Sequence, residues 1–205
     1  MTEALLISNL VLWLVVLALC AIVVALVRQI GVLHERIAPA GALMLGNGPR
    51  VGEQAPQFEL QGLGDVAVTI GGSQTAERST LVFFLSPTCP VCKTLLPVLE
   101  SARKSERDWL QIVLASDGEV QAQQRFIEAN GLAVFPYILS AELGRAYHVE
   151  KLPYAILIDE QGILRSKGLI NTREHLESLF EAKELHVASV QDFYNKNREA
   201  ERETA

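Results

Sequence analysis

Hydrophobic positions follow two regimes along this chain of 205 residues. Between Leu5 and Val27 they are nearly continuous, LLISNLVLWLVVLALCAIVVALV, with no charged side chain. Beyond residue 50 they come as short runs between polar stretches. A backbone in hydrocarbon has to satisfy its own hydrogen bonds, so the continuous run predicts one helix. At about 1.5 Å per residue it would extend roughly 34 Å, enough for a hydrocarbon layer of about 30 Å. Residues 1–30 are therefore expected to hold a single transmembrane helix. The triplet Ala38-Pro39-Ala40 has the form of a leader cleavage site. However, Met1-Thr2-Glu3 supplies no basic side chain, and Arg28, His34, Glu35 and Arg36 separate the run from the triplet. A retained anchor is the expectation. Cys20, inside the run, is read as a small apolar side chain with no redox role.

Residues 31–50, which include APAGALMLGNGPR, lack a sustained period and are rich in Gly, Pro and Ala, as a linker is. The folded domain is expected over 51–185. VAVTI (66–70) predicts a short strand. LVFFLS (81–86) and WLQIVLAS (109–116) are apolar runs of β-formers, as in strands buried on both faces. Between them a helix is expected from Cys89 to Lys104, interrupted at Pro97. GEVQAQQRFIEANG (118–131) predicts a helix stopped by Asn130-Gly131. FPYILS (135–140) predicts a short edge strand, followed by a brief helix over AELGRAYHV (141–149). PYAILIDE (153–160) and ILRSKGL (163–169) predict a hairpin turning at Gln161-Gly162. NTREHLESLFEAKEL (171–185) predicts an amphipathic helix with Thr172 as N-cap and Leu176, Leu179 and Phe180 on its apolar face. Strands alternating with helices, then a hairpin and a helix, imply an α/β domain: a mixed sheet flanked by helices. Residues 186–205 form a polar tail expected to fray.

Composition narrows the function. A net charge of -6 with no basic run argues against a nucleic-acid partner. Three cysteines are too few for a disulfide framework. No repeat of a 20–50-residue period occurs.

Two of those cysteines, Cys89 and Cys92, stand in SPTCPVCKTLLP (86–97). A pair at this spacing is a redox couple, half of a metal site, or two inert thiols. A structural zinc needs four ligands, and no second pair exists. His148, His175 and His186 lack metal-ligand spacing and are read, with His34, as solvated or locally bonded. No metal and no separate cofactor are expected. Placement favours redox chemistry. The pair falls between a buried strand and a helix, so Cys89 lies at the helix start, where free N–H groups and the helix dipole favour its thiolate. Cys92 lies one turn further in and is expected to be buried. Cys89 is then the attacking sulfur and Cys92 the resolving one. Pro90 suits the first helical position, since its missing N–H would have no partner there.

The residues from about 51 to 185 resemble the thioredoxin fold. Lys93 directly follows the second cysteine, and Pro97 falls where that family kinks its active-site helix. Leu152-Pro153, ahead of YAILID, matches the cis-proline that faces the disulfide. GEQAPQFEL (52–60) is similar to the lead-in of the membrane-tethered thioredoxin-like branch. The resemblance assigns catalysis to Cys89 and Cys92 and client contact to Leu152 and Pro153, although an apolar Leu152 also suits plain packing. Two positions depart from the pattern. Thr88 replaces the tryptophan before the first cysteine, and Phe83 replaces a buried acid, leaving water or a nearby lysine to take the proton from Cys92.

SPTCPVCKTLLP together with an N-terminal membrane helix is similar to the MauD family of methylamine-utilisation proteins. The resemblance implies disulfide formation or isomerisation in the small subunit of methylamine dehydrogenase, with a further redox partner in the membrane or periplasm. It also implies an inner-membrane protein whose thioredoxin-like domain faces the periplasm. Charge alone points the other way: Arg28 and Arg36 follow the helix, and only Glu3 and the amino group precede it. Two rival functions share the fold: a periplasmic thiol reductase of the cytochrome c maturation type, and a non-enzymatic client-binding or copper-delivery module. Pro90-Val91 lacks the histidine of the strongest oxidants. The Pro-x-x-x-Thr-x-x-Cys pattern of peroxidases is absent at both cysteines.

Overall fold

The computed structural model describes residues 7–10, 12–20, 23, 48–64, 66–72 and 77–185. The chain divides into two units, Met1–Pro39 and Ala40–Ala205. In the first, the described residues are helical and their apolar side chains are exposed, Trp13 and Leu17 among them. Among the described residues no helix is long and apolar enough to cross a membrane. The remainder of the span expected over 5–27 lies outside them, as do most of the linker and the tail at 186–205.

In the second unit the order is β1 (Phe58–Gln61), β2 (Ala67–Ile70), β3 (Ser79–Phe84), α1 (Pro90–Ser105), β4 (Leu110–Ser116), α2 (Val120–Asn130), a 3₁₀ turn (Leu132–Val134), β5 (Tyr137–Leu139), α3 (Ala141–Ala146), β6 (Tyr154–Ile158), β7 (Leu164–Leu169) and α4 (Arg173–Glu184). The main sheet runs β5-β4-β3-β6-β7. β3 pairs in parallel with β4, and β4 with β5, while β6 and β7 run antiparallel. The long apolar runs take the central places because both of their faces are covered. Leu81 and Phe83 join Leu95 and Leu99 of α1 and Leu176 and Leu179 of α4 in one buried cluster. Val82 and Phe84 join Leu143 of α3, Tyr147, and Val68 and Ile70 of β2 in another.

Three features differ from the sequence reading. α1 runs as one helix through Pro97 rather than being interrupted there. The proline ring removes one helical N–H, and a helix with a buried apolar face tolerates that loss. α3 is shorter than expected, ending at Ala146, because His148 takes a left-handed φ of 51°. β1 and β2 also form a separate antiparallel pair, Phe58 opposite Ile70. The expected hairpin stands: Gly162 has φ 76°, and Asp159 Oδ1 accepts N–H bonds from Gln161 at 2.9 Å and Ile163 at 2.8 Å. The expected N-cap stands as well, with Thr172 Oγ1 accepting from His175 N at 3.3 Å.

Candidate active site at the carboxyl end of the central strand

β3 delivers the cysteines. After Phe84 the backbone of Leu85 still reaches β4, its N–H donating to Ala115 O at 3.0 Å. The chain then folds in a turn over Ser86–Cys89, where Cys89 N–H donates to Ser86 O at 3.0 Å with Pro87 at the second position. Cys89 is the N-cap of α1, in extended conformation, and its Sγ accepts Cys92 N–H at 3.1 Å. Pro90 occupies the first helical position. The two sulfurs are bonded to each other, with the Cα atoms 5.3 Å apart.

Burial separates the two sulfurs. Cys92 is 0% exposed and shares its cluster with Phe83, Leu85, Leu95 and Ala155. Cys89 is half-buried, at the edge of the same cluster. Of the two cysteines, Cys89 is the one solvent reaches. Thr88, Pro90, Val91 and Lys93 surround Cys89 with exposed side chains. Lys93 thus points away from Cys92. Lys167 pairs with Ile156, whose side chain belongs to the opposite face of the sheet. Neither lysine lies beneath Cys92. The tyrosines of the core serve packing: burial pushes Tyr137 and Tyr154 up to about 12, and Tyr137 Oη donates to Gln123 Oε1 at 2.6 Å.

The peptide bond Leu152-Pro153 is cis. Pro153 is buried and Leu152 is 39% exposed. Phe84 pairs with Tyr154 across β3 and β6, so this loop enters the sheet beside the point where the cysteine turn leaves it. A cleft of about 600 Å³ opens at the same end of the strands. Its lining includes Leu85, Ala115, Asp117, Gly144, Arg145 and Leu152. Gly144 leaves it roomy, since a Cβ there would meet nothing within 4 Å. His148 also lines it, while His175 binds locally, its Nδ1 accepting Asn171 N–H at 3.2 Å. Among the described residues no three His, Cys, Asp or Glu side chains are grouped to hold a metal ion.

Sequence reasoning located both cysteines and the cis proline but missed the cleft, whose walls come from three separate stretches, 84–85, 115–117 and 140–152. It also passed over Ser86, although Ser-Pro before an N-cap is a turn signal.

This fold, with a helix-start disulfide and a cis proline at the same end of adjacent strands, defines a thioredoxin-like thiol–disulfide oxidoreductase. The family model described as AhpC/TSA matches residues 51–167. The methylamine utilization protein MauD of Paracoccus denitrificans is 44% identical over 94% of this chain and 96% of its own length. Its namesake from Methylorubrum extorquens is 43% identical over 93% and 92%. The crystal structure of StoA from Bacillus subtilis superposes with a TM-score of 0.52 at 26% identity, covering 64% of this chain and 99% of that one. The chain belongs to the AhpC/TSA family and, within it, to the MauD proteins.

Proposed function

We propose that this chain is a membrane-anchored oxidoreductase that forms or reshuffles disulfides in the small subunit of methylamine dehydrogenase, with its thioredoxin-like domain in the periplasm. The observation that carries the chemistry is the split burial of one disulfide: Cys89 accessible, Cys92 fully enclosed. The MauD relatives support the client, and the apolar helical side chains exposed at Trp13, Leu14 and Leu17 support the anchor. A client thiolate attacks Cys89 Sγ, the Cys89–Cys92 bond breaks, and Cys92 leaves as a thiolate. A second client thiolate then attacks the client sulfur of the mixed disulfide and releases Cys89. The client loses two electrons and the cysteine pair gains them. Exchange with a more oxidising disulfide of a redox partner returns the pair to its starting state. Leu152 offers its backbone to an extended client strand, and the cleft beside it takes the neighbouring client side chains.

The test mixes the oxidised full chain in detergent with the reduced small subunit and counts thiols on both. Two client thiols should disappear for every Cys89–Cys92 pair reduced. Exchange with glutathione but not with the client would remove the client, whereas no exchange at all would remove the oxidoreductase reading. Alkaline phosphatase fused after Val187 should be active; an inactive fusion with an active cytoplasmic reporter at the same point would place the domain on the other side.

A further inference from the structure

The two sulfurs differ in more than exposure. Cys89 Sγ accepts the N–H of Cys92 at 3.1 Å and is only half-buried. Cys92 is fully enclosed, and among the described residues no N–H or O–H group donates to its Sγ. The cluster that holds it is apolar on every side: Phe83 of β3, Leu95 of α1, Leu114 of β4, Ala155 of β6 and Leu176 of α4. The ionisable groups lie elsewhere. Among the described residues the buried carboxylate and amine side chains are Asp159 and Lys167. Asp159 follows Ile158, which pairs with Thr80, roughly 13 Å along β3 from Phe84 and the cysteine turn. Lys167 is on the other face of the sheet, as is Tyr154, which pairs with Phe84. Tyr137 shares the cluster but stands two strands from β3, about 10 Å across the sheet, and its hydroxyl donates to Gln123. On α1, Lys93 is exposed, and Glu100 lies about 12 Å further along the helix, bonded to Arg103 and Lys104. On α4, half-buried His175 uses its Nδ1 to accept Asn171 N–H, and Lys183 is bonded to Glu160.

A charge on Cys92 therefore has no donor, no counter-ion and no water to stabilise it. To resolve a mixed disulfide at Cys89, the Cys92 thiol has to give up its proton, and the thiolate is the attacking species. We propose that Cys92 is a slow exit from the mixed disulfide: its attack waits for solvent hydroxide, so the client's own thiols displace Cys89 first and the reduced chain reshuffles disulfides instead of opening them for good. In the reshuffling path the Cys89 thiolate attacks a client disulfide, a Cys89–client bond forms, and one client sulfur leaves as a thiolate. Another client thiolate then attacks the client sulfur of that bond, and Cys89 leaves as a thiolate. One client disulfide is broken and one is formed, and no electrons pass to the chain. In the exit path hydroxide takes the Cys92 proton, Cys92 attacks Cys89 Sγ, and the client sulfur departs with the electron pair. The client then gains two electrons and the cysteine pair loses them. This rests on the oxidoreductase reading with Cys89 as the attacking sulfur.

The reduced full chain in detergent is mixed with oxidised glutathione, quenched with acid at intervals, and sorted by mass into free, glutathione-bound and disulfide forms. Loss of the glutathione-bound form should speed up about tenfold for each unit of pH from about 6 to about 9, with no plateau. A plateau at or below about pH 8 would overturn the proposal, since it would mean that a protein group takes the proton or that Cys92 charges readily. His175→Gln should leave the profile unchanged; a slower and flatter one would make His175 the base and overturn it as well. The second measurement uses the wild-type reduced chain with the small subunit carrying scrambled disulfides, at pH 7. Most turnovers should end with Cys89 and Cys92 both reduced and the client's thiol count unchanged. One Cys89–Cys92 disulfide formed for every client disulfide opened would show that Cys92 outruns the client. A chain that forms no glutathione-bound species at any pH would instead sink the oxidoreductase reading.

Discussion

At the scale of single residues, the reactivity of this site follows from where each sulfur sits. A half-buried N-cap cysteine is reached by reagents and gains the free N–H groups of the helix start, while a fully enclosed cysteine gains neither. With Cys92→Ser, Cys89 should alkylate at least about tenfold faster at pH 7 than Cys92 does with Cys89→Ser, and its rate should fall only at lower pH. Faster alkylation of Cys92 would reverse the two roles. Residue identity carried much of this. Cys89, Cys92 and Pro153 were legible because spacing and order along the chain are themselves the signal. The surroundings of Cys92 were legible only by half. Phe83 marked a missing acid, but that Lys93 faces solvent depends on the rotation of α1, and the place of Lys167 on the far face depends on the register of β7 against β6.

At the scale of elements, the long apolar strands and the capped helices could be read from periodicity, whereas β1 could not. FELQ is short and only half-buried, and it is a strand because Phe58 to Gln61 meet Ile70 to Ala67, a pairing no local pattern states. α3 is short for the same kind of reason, since its end is set by the left-handed turn at His148. That helix also holds the cleft open. Glycine costs a helix interior about 1 kcal/mol relative to alanine, and Gly144 stands where a larger side chain would project into open space. Gly144→Leu should therefore keep or raise the thermal midpoint while slowing exchange with a protein client several-fold, and leave exchange with glutathione unchanged. Equal slowing of both would show that the cleft does not read the client. At the opposite end of the sheet α4 is fastened by Glu160, which accepts from Lys183 Nζ and from Ser79 Oγ, each at 2.8 Å. Burial alone would raise this carboxyl, but the bonds from Lys183, its own backbone N–H and Ser79 outweigh burial and bring it to about 2. Its folded value lies below its ordinary one of 4.5, so its contribution is complete above about 4.5 and fades as the pH falls toward 2. With side chains that are partly solvated, that contribution is on the order of 1 kcal/mol. Glu160→Gln should lower stability at pH 7 by about that amount and make the acid limb of the stability curve shallower between pH 5 and about 2. An unchanged acid limb in urea melts across that range would show that the bond contributes nothing.

At the scale of the whole molecule, the open quantity is the direction in which electrons flow, and three residues bear on it. A dithiol is more oxidising when its reduced form is more stable, which here means a more stable Cys89 thiolate. Helix-start placement raises the potential, and so does Phe83, which replaces a buried carboxylate that would oppose the thiolate. Val91 limits the rise because it donates no hydrogen bond. The potential of the full chain is expected above the thioredoxin value of about -270 mV and below that of the strongest periplasmic oxidants, about -120 mV. At about 30 mV for each 1.4 kcal/mol, those limits are roughly 7 kcal/mol apart. Equilibration with glutathione buffers in detergent, read by the oxidised fraction of Cys89–Cys92, gives the number. Phe83→Leu should hold that potential, because the effect comes from the absent charge and not from the ring. A wild-type midpoint at or below the thioredoxin value would make the chain a reductase, and disulfide formation in the client would then fall to another protein.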